Sequence, residues 1–330
     1  MNRARAALSA TAVLLAATAV AGCGSKAATT TSTAPADHKV VLVTHDSFDL
    51  PKALLKRFEK SSGIDVQLTT SGDAGELASK LQVTKDDPLG DAAYGIDTTF
   101  QAAVTGAGVI DGDLSPIDVG YVCVNVDDAW FTSHHQAPPT SLDDLVKPAY
   151  KDLFVTEGAT TSSPGMAFLL ATIGTYGDGW QDYWRQLVAN GAKVDSGWTQ
   201  AFEKDYSASG GDRPVVVSYN TDPSYGVKNG QPSTHALLNT CFADTEYAGV
   251  LTGAKNPTDA QKVVAWLQSA AVQKALPTSM YVYPTRAGTP LPGSWKRFAP
   301  VPGKPIEVSA SDIAANRRDW TTTWTDIVSG

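Results

Sequence analysis

Ser163-Pro164-Gly165 stands ahead of the apolar run Met166-Ala167-Phe168-Leu169-Leu170. It reads as a helix start: an N-cap serine, a first-turn proline and a glycine that lets a ligand come close. Free N–H groups and the helix dipole make such a terminus attractive to anions, although the same residues serve as a plain cap. Tyr219 and Tyr225 flank the turn Asn220-Thr221-Asp222-Pro223 at the end of an apolar run. Ligands of α/β sheets gather at such strand ends. Trp198 follows Gly197 in a polar stretch; a single Trp or Tyr can equally belong to the core. Asp73, in Ser71-Gly72-Asp73-Ala74-Gly75, precedes a helical stretch and is suited to capping it. His45-Asp46-Ser47 has the residue types of a hydrolytic triad. Neighbours on a strand point to opposite faces, however, so the run itself cannot be one. GxSxG, HExxH and paired metal motifs are missing, and His134-His135 falls before Pro138-Pro139 in a surface loop. These residues favour binding over catalysis, with no catalytic group, metal or cofactor expected.

The elements that must carry them alternate between strand and helix. Lys39–Thr44 reads as a buried strand, Pro51 opens a helix that Gly63 stops, and Ile64–Leu68 alternates as a strand. Glu76–Leu81 reads as helix. Asp91–Ile96, Gly120–Val126 and Arg213–Tyr219 read as strands. Thr258–Ala275 forms one amphipathic helix, and Ser311–Val328 a last helix with Ile313, Trp320, Trp324 and Ile327 inward. This order predicts an α/β fold with largely parallel sheets and no internal repeat.

The N-terminus has the signals of export. Arg3 and Arg5 precede an apolar stretch from Ala6 to Ala21. At roughly 16 residues it is short of the about 20 needed to span a bilayer. It ends in Val20-Ala21-Gly22-Cys23, the pattern of a lipoprotein signal: residues 1–22 removed, lipid on Cys23, and 23–37 a polar disordered tether. The alternative is an ordinary secretory signal with an incidental cysteine. The protein would then sit outside the cytoplasm, held to the cell membrane by lipid alone. The net charge of −8, or −10 without Arg3 and Arg5, argues against nucleic acid as a partner. In that compartment Cys123 and Cys241 favour a disulfide, the alternative being two buried thiols.

Several ordered stretches resemble the extracytoplasmic solute-binding proteins of ABC importers, and among them the thiamine-binding ones. They are Thr44–Phe48, Ile117–Tyr121, Thr161–Gly165, Ser196–Trp198, Ser218–Tyr225, Ala275–Pro284 and Ser311–Trp320. The resemblance implies a monomer with two α/β lobes of the type II periplasmic-binding-protein fold and a ligand cleft between them. Lobe 1 would comprise 38–119 and about 242–290, and lobe 2 would comprise 120–241, with 291–330 packing on them. A Cys123–Cys241 bond would then fall near the crossovers. Thiamine, or a thiamine phosphate, would be held by His45, Asp73, Ser162, Ser163, Trp198, Tyr219, Asp222, Tyr225 and Tyr281, with the serines at the phosphate or hydroxyl end. Three positions depart from the family: His45 replaces a tyrosine, Tyr281 a stacking tryptophan, and Ala74 a glycine. A small-molecule ligand and an importer permease would be the partners, with delivery by cleft closure. Iron or another pyrimidine as solute, an exported hydrolase, and a lipoprotein that binds only a protein partner are the rival readings.

Overall fold

The computed structural model describes residues 38–227 and 229–330. The Cys23 cleavage site and the tether to residue 37 lie outside the described residues. Nine strands are described: β1 (Lys39–Thr44), β2 (Asp65–Thr70), β3 (Ala92–Asp97), β4 (Ser115–Asp127), β5 (Phe154–Glu157), β6 (Lys193–Asp195), β7 (Val215–Tyr219), β8 (Thr234–Val250) and β9 (Tyr283–Pro284). Their order is β2-β1-β3-β8-β4-β7-β5-β6, with β9 on β4.

The expectation of largely parallel sheets holds at the two ends and fails in the middle. β2-β1-β3 and β7-β5-β6 are parallel, whereas β4 and β8 pair antiparallel with each other and with their outer neighbours β7 and β3. The two long strands belong to both halves, so one continuous path replaces two separate sheets. Cys123 and Cys241 form a disulfide between them, beside the register shift at Val122/Val124. Thr240 fills that irregularity, its hydroxyl accepting from the Val124 N–H at 2.9 Å.

β1 is buried through Val40, Leu42 and Val43, and Gly63 (φ 74°) ends the helix Lys52–Ser62 in the left-handed conformation that glycine tolerates. Pro51 caps that helix from just outside it. The single helix expected over 258–275 is two, Pro257–Leu267 and Ala270–Ser279. Ser269 caps the second, and the fully buried Gln273 amide donates to Leu267 O at 3.1 Å, a carbonyl at the break, and to Ile117 O of β4 at 2.8 Å. The last helix, Ala310–Ser329, buries Ile313 and Trp324, the latter edge-on to Trp184 at 5.5 Å. Among the described residues no helix is long and apolar enough to cross a membrane.

Candidate functional site

The parallel strands of both halves end at one cleft of about 830 Å³. β1 delivers His45, β2 leads to Asp73, β5 leads to the helix Ser163–Tyr176, β6 leads to Trp198, and β7 ends on Tyr219 ahead of Asp222. Carboxyl ends of strands leave room for a ligand because the helix that follows each strand turns away from the sheet edge.

Eight of the nine residues expected on the ligand line this cleft: His45, Asp73, Ser163, Trp198, Tyr219, Asp222, Tyr225 and Tyr281. The ninth, Ser162, is fully buried behind it and is the N-cap of the helix; Ser163 is the first helical residue, one place later than its sequence suggested. Ser163 Oγ caps nothing and instead donates to Asp97 Oδ2.

Asp73 joins the two sides. Its Oδ1 accepts from the Ala74 N–H at 2.6 Å, capping the helix Ala74–Val83, and its Oδ2 accepts from the Trp198 N–H at 2.9 Å, across 125 residues of sequence. Burial pushes its carboxyl up, and these bonds oppose the shift. The Glu76 N–H also donates to Thr161 O at 3.2 Å. Glycine makes the approach possible: a Cβ on Gly75 would stand 2.6 Å from Thr161 C and 2.7 Å from Thr160 O.

The aromatic faces are fixed by their own contacts. Trp198 donates from Nε1 to Ser218 Oγ at 2.7 Å and stacks on Phe202 at 5.0 Å and 12°. The Tyr219 ring lies against Gly120, where any side chain would displace it. Tyr225, 66% exposed, meets Tyr281 edge-on at 5.1 Å at the rim, with Tyr281 held at φ 56°. Asp222 accepts from the Tyr219 N–H at 2.9 Å, and burial pushes its carboxyl up to about 7.

Sequence reading missed Glu246, whose strand β8 was not anticipated. Its carboxylate lies 3.5 Å from His45 Nε2. Burial pulls the His45 imidazole down, but the Glu246 charge, aided by Asp73 and Asp118, outweighs it and raises His45 to about 9. Burial alone would raise Glu246; protonated His45 holds it below the usual range. Tyr94 Oη lies 2.6 Å from both Glu246 Oε2 and Asp118 Oδ2. One phenolic proton cannot serve two carboxylates, so a carboxyl must hold a second. Burial and the Glu246 charge push Asp118 well above the carboxylate range. Tyr94 thus bridges two buried acids, Asp118 and Glu246, and Glu246 faces the His45 cation on its other side. Acids within the otherwise apolar run Phe242–Val250 were the available signal for this cluster. Among the described residues no group of three or more His, Cys, Asp or Glu side chains is arranged to hold a metal ion.

A two-lobed α/β body with an aromatic and acidic cleft defines a periplasmic-type binding protein. The profile of bacterial extracellular solute-binding proteins matches residues 91–297, and the chain belongs to that family. It is 28% identical over 322 residues to the thiamine-binding periplasmic protein of Salmonella typhimurium, covering 90% of this chain and 96% of the relative. The Escherichia coli protein of the same name is 26% identical, covering 90% and 96%. Among solved structures, a periplasmic thiamin binding protein superposes with a TM-score of 0.80 at 25% identity, covering 88% of this chain and 96% of that one. Iron-bound HitA from Pseudomonas aeruginosa gives 0.67 at 20% identity, covering 88% and 99%, and shares the fold.

Proposed function

We propose that this protein captures thiamine, or a phosphorylated form of it, by closing its two lobes on the ligand, and hands it to the permease of an ABC importer. The observation that carries this is the cleft wall itself. Trp198 and Tyr219 offer aromatic faces, with the Asp73 and Asp222 carboxyl groups beside them. A flat aminopyrimidine and a cationic thiazolium need these two kinds of group. The names borne by the relatives support the same solute. Residues 38–119 with about 242–290 would move against 120–241, hinged where the disulfide ties β4 to β8, while 291–330 stays packed on them. The protein performs no chemistry and needs no cofactor or metal. It works outside the cytoplasm as a monomer, anchored by lipid on Cys23 and free to reach the permease on the 23–37 tether.

Calorimetric titration of the purified protein with thiamine is the test, with sub-micromolar affinity expected. Trp198→Ala should weaken binding by about 1–2 kcal/mol through loss of the ring face. Absence of heat and of any thermal shift with thiamine and its phosphates would remove the assignment of ligand but not of fold.

A further inference from the structure

Trp198 and Phe202 cover a row of buried acids. Glu157 ends β5 directly beside Asp195 of β6 in the parallel ladder, so both side chains leave the sheet on one face. Val155, two residues earlier on that face, packs with Trp198, Phe202 and Tyr206, which places the aromatic stack over the acids. On the other side of β5, β7 runs out to Asp222. Asp73 approaches from the opposite wall through its bond to the Trp198 N–H.

Little positive charge faces this row. Lys193 Nζ lies 3.4 Å from Asp195 Oδ1 and is shared with Asp205. His45 faces Asp73 but is matched by Glu246 at 3.5 Å. Asp46, Asp49, Glu203 and Lys204 stand exposed at the rim, screened by solvent. Glu157 is fully buried, and among the described residues no donor reaches either of its carboxyl oxygens; Asp195 Oδ2 is likewise without a partner. A buried carboxylate with neither donors nor a counter-charge is costly, so the row retains protons. Burial, aided by the charges of Asp73, Asp195 and Asp222, holds Glu157 well above the carboxylate range. Burial also raises Asp195 to about 6 and Asp222 to about 7. The phenols of Tyr206 and Tyr219 are pushed up by burial and stay neutral. Of these acids Asp222 lines the cleft, and it accepts a single backbone N–H, that of Tyr219.

We infer that the cleft takes up its cationic ligand in exchange for a proton: the positive ring settles beside Asp222, whose carboxyl O–H ionises and gives its proton to the solvent. This rests on the thiamine reading and deepens it. An opposite charge brought close favours the ionised carboxyl. Glu157, sealed beneath the aromatic stack, keeps its proton, so the new negative charge forms at the acid that meets the ligand. Binding that releases a proton strengthens as pH rises. His45, raised to about 9, keeps its own proton through the neutral range and adds nothing to the exchange there.

Titration calorimetry with thiamine at pH 7, in buffers of different ionisation enthalpy, counts the protons. About half a proton should leave per ligand bound, because a group that titrates near 7 is about half protonated there. Affinity should rise about tenfold from pH 6 to pH 8. The neutral thiophene analogue of thiamine has the same aminopyrimidine but no ring charge, so titration of the aminopyrimidine cancels in the comparison. It should release less than about 0.1 proton and bind with nearly constant affinity over that range. Asp222→Asn keeps an oxygen for the Tyr219 N–H and should abolish the release with thiamine. Glu157→Gln replaces a carboxyl that holds its proton throughout and should leave the release unchanged. Thiamine binding without proton release, or equal release by both compounds, overturns the exchange and leaves the thiamine reading standing. Release retained in full by Asp222→Asn, or lost in Glu157→Gln, overturns the assignment to Asp222. Failure of both compounds to bind overturns the exchange together with the thiamine reading.

Discussion

Breaking the His45–Glu246 pair should change how stability depends on pH, and in a direction fixed by the structure. His45 is raised from 6.5 to about 9, so the stability it contributes is fully present below pH 6.5 and is lost as pH rises through about 9. At about 1.4 kcal/mol per pH unit, the displacement corresponds to about 3 kcal/mol. This is what remains after burial has pulled the other way, and the depressed Glu246 reports the same interaction from its partner, so it is counted once. In Glu246→Gln, burial, the largest influence on His45, is no longer outweighed. The imidazole then becomes neutral in the folded state, and stability falls as pH drops toward 6 instead of rising. The raw curve is not sufficient, because Asp118 and Asp244, both raised well above the carboxylate range by burial, add their own slope. A double-mutant cycle of His45→Asn and Glu246→Gln, followed by urea unfolding from pH 6 to 10, isolates the pair. The coupling energy should be at least about 3 kcal/mol at pH 6.5 and below about 1 kcal/mol at pH 10. A coupling that stays flat across this range, or is absent at pH 6.5, would refute the ion-pair account.

Gly75→Ala should leave the fold intact but weaken thiamine binding about tenfold or more, since the added Cβ meets backbone atoms of Thr160 and Thr161 that cannot turn aside; calorimetry beside a circular dichroism spectrum separates the two effects. Replacing both Cys123 and Cys241 by serine opens a link spanning 118 residues and should lower stability by about 4–5 kcal/mol in denaturant unfolding. Trp324→Ala removes a nearly fully buried ring packed on Trp184 and should cost about 3–5 kcal/mol, with little change in ligand affinity.

The sequence disclosed those parts of the fold whose causes are local. The strand Lys39–Thr44 was legible as a short apolar run, and the stop at Gly63 follows from its freedom at positive φ. The eight cleft residues were legible through the family resemblance, because by type alone a serine or aspartate is equally a helix cap and a single Trp or Tyr equally core. What escaped depends on partners far away in sequence. β8 carries Asp244 and Glu246 on a buried strand, and its place in the sheet depends on Tyr94, 152 residues from Glu246, supplying the hydrogen bond that lets the carboxylate sit there. The break between Leu267 and Ala270 likewise depends on the Gln273 amide reaching Ile117, 156 residues away. Helical periodicity runs straight through such a break, because it reports the buried face and not the continuity of the backbone.

Asp73 illustrates why cap and ligand contact, opposed as alternatives in the sequence, are compatible in the structure. A carboxylate has two oxygens. One holds the start of the helix Ala74–Val83; the other reaches the backbone of Trp198 on the opposite wall. The first bond is local and persists whenever that helix is formed. The second requires the two walls to be together, and Gly197 admits it, since a Cβ there would come within 2.8 Å of the same Oδ2. A carboxylate fixed on one wall and bonded to the residue that presents the aromatic face on the other couples closure to the positioning of that face. On the proposed closure, Trp198 would take its final orientation only with the two walls together, so binding energy gained at the ring would also be energy of closure.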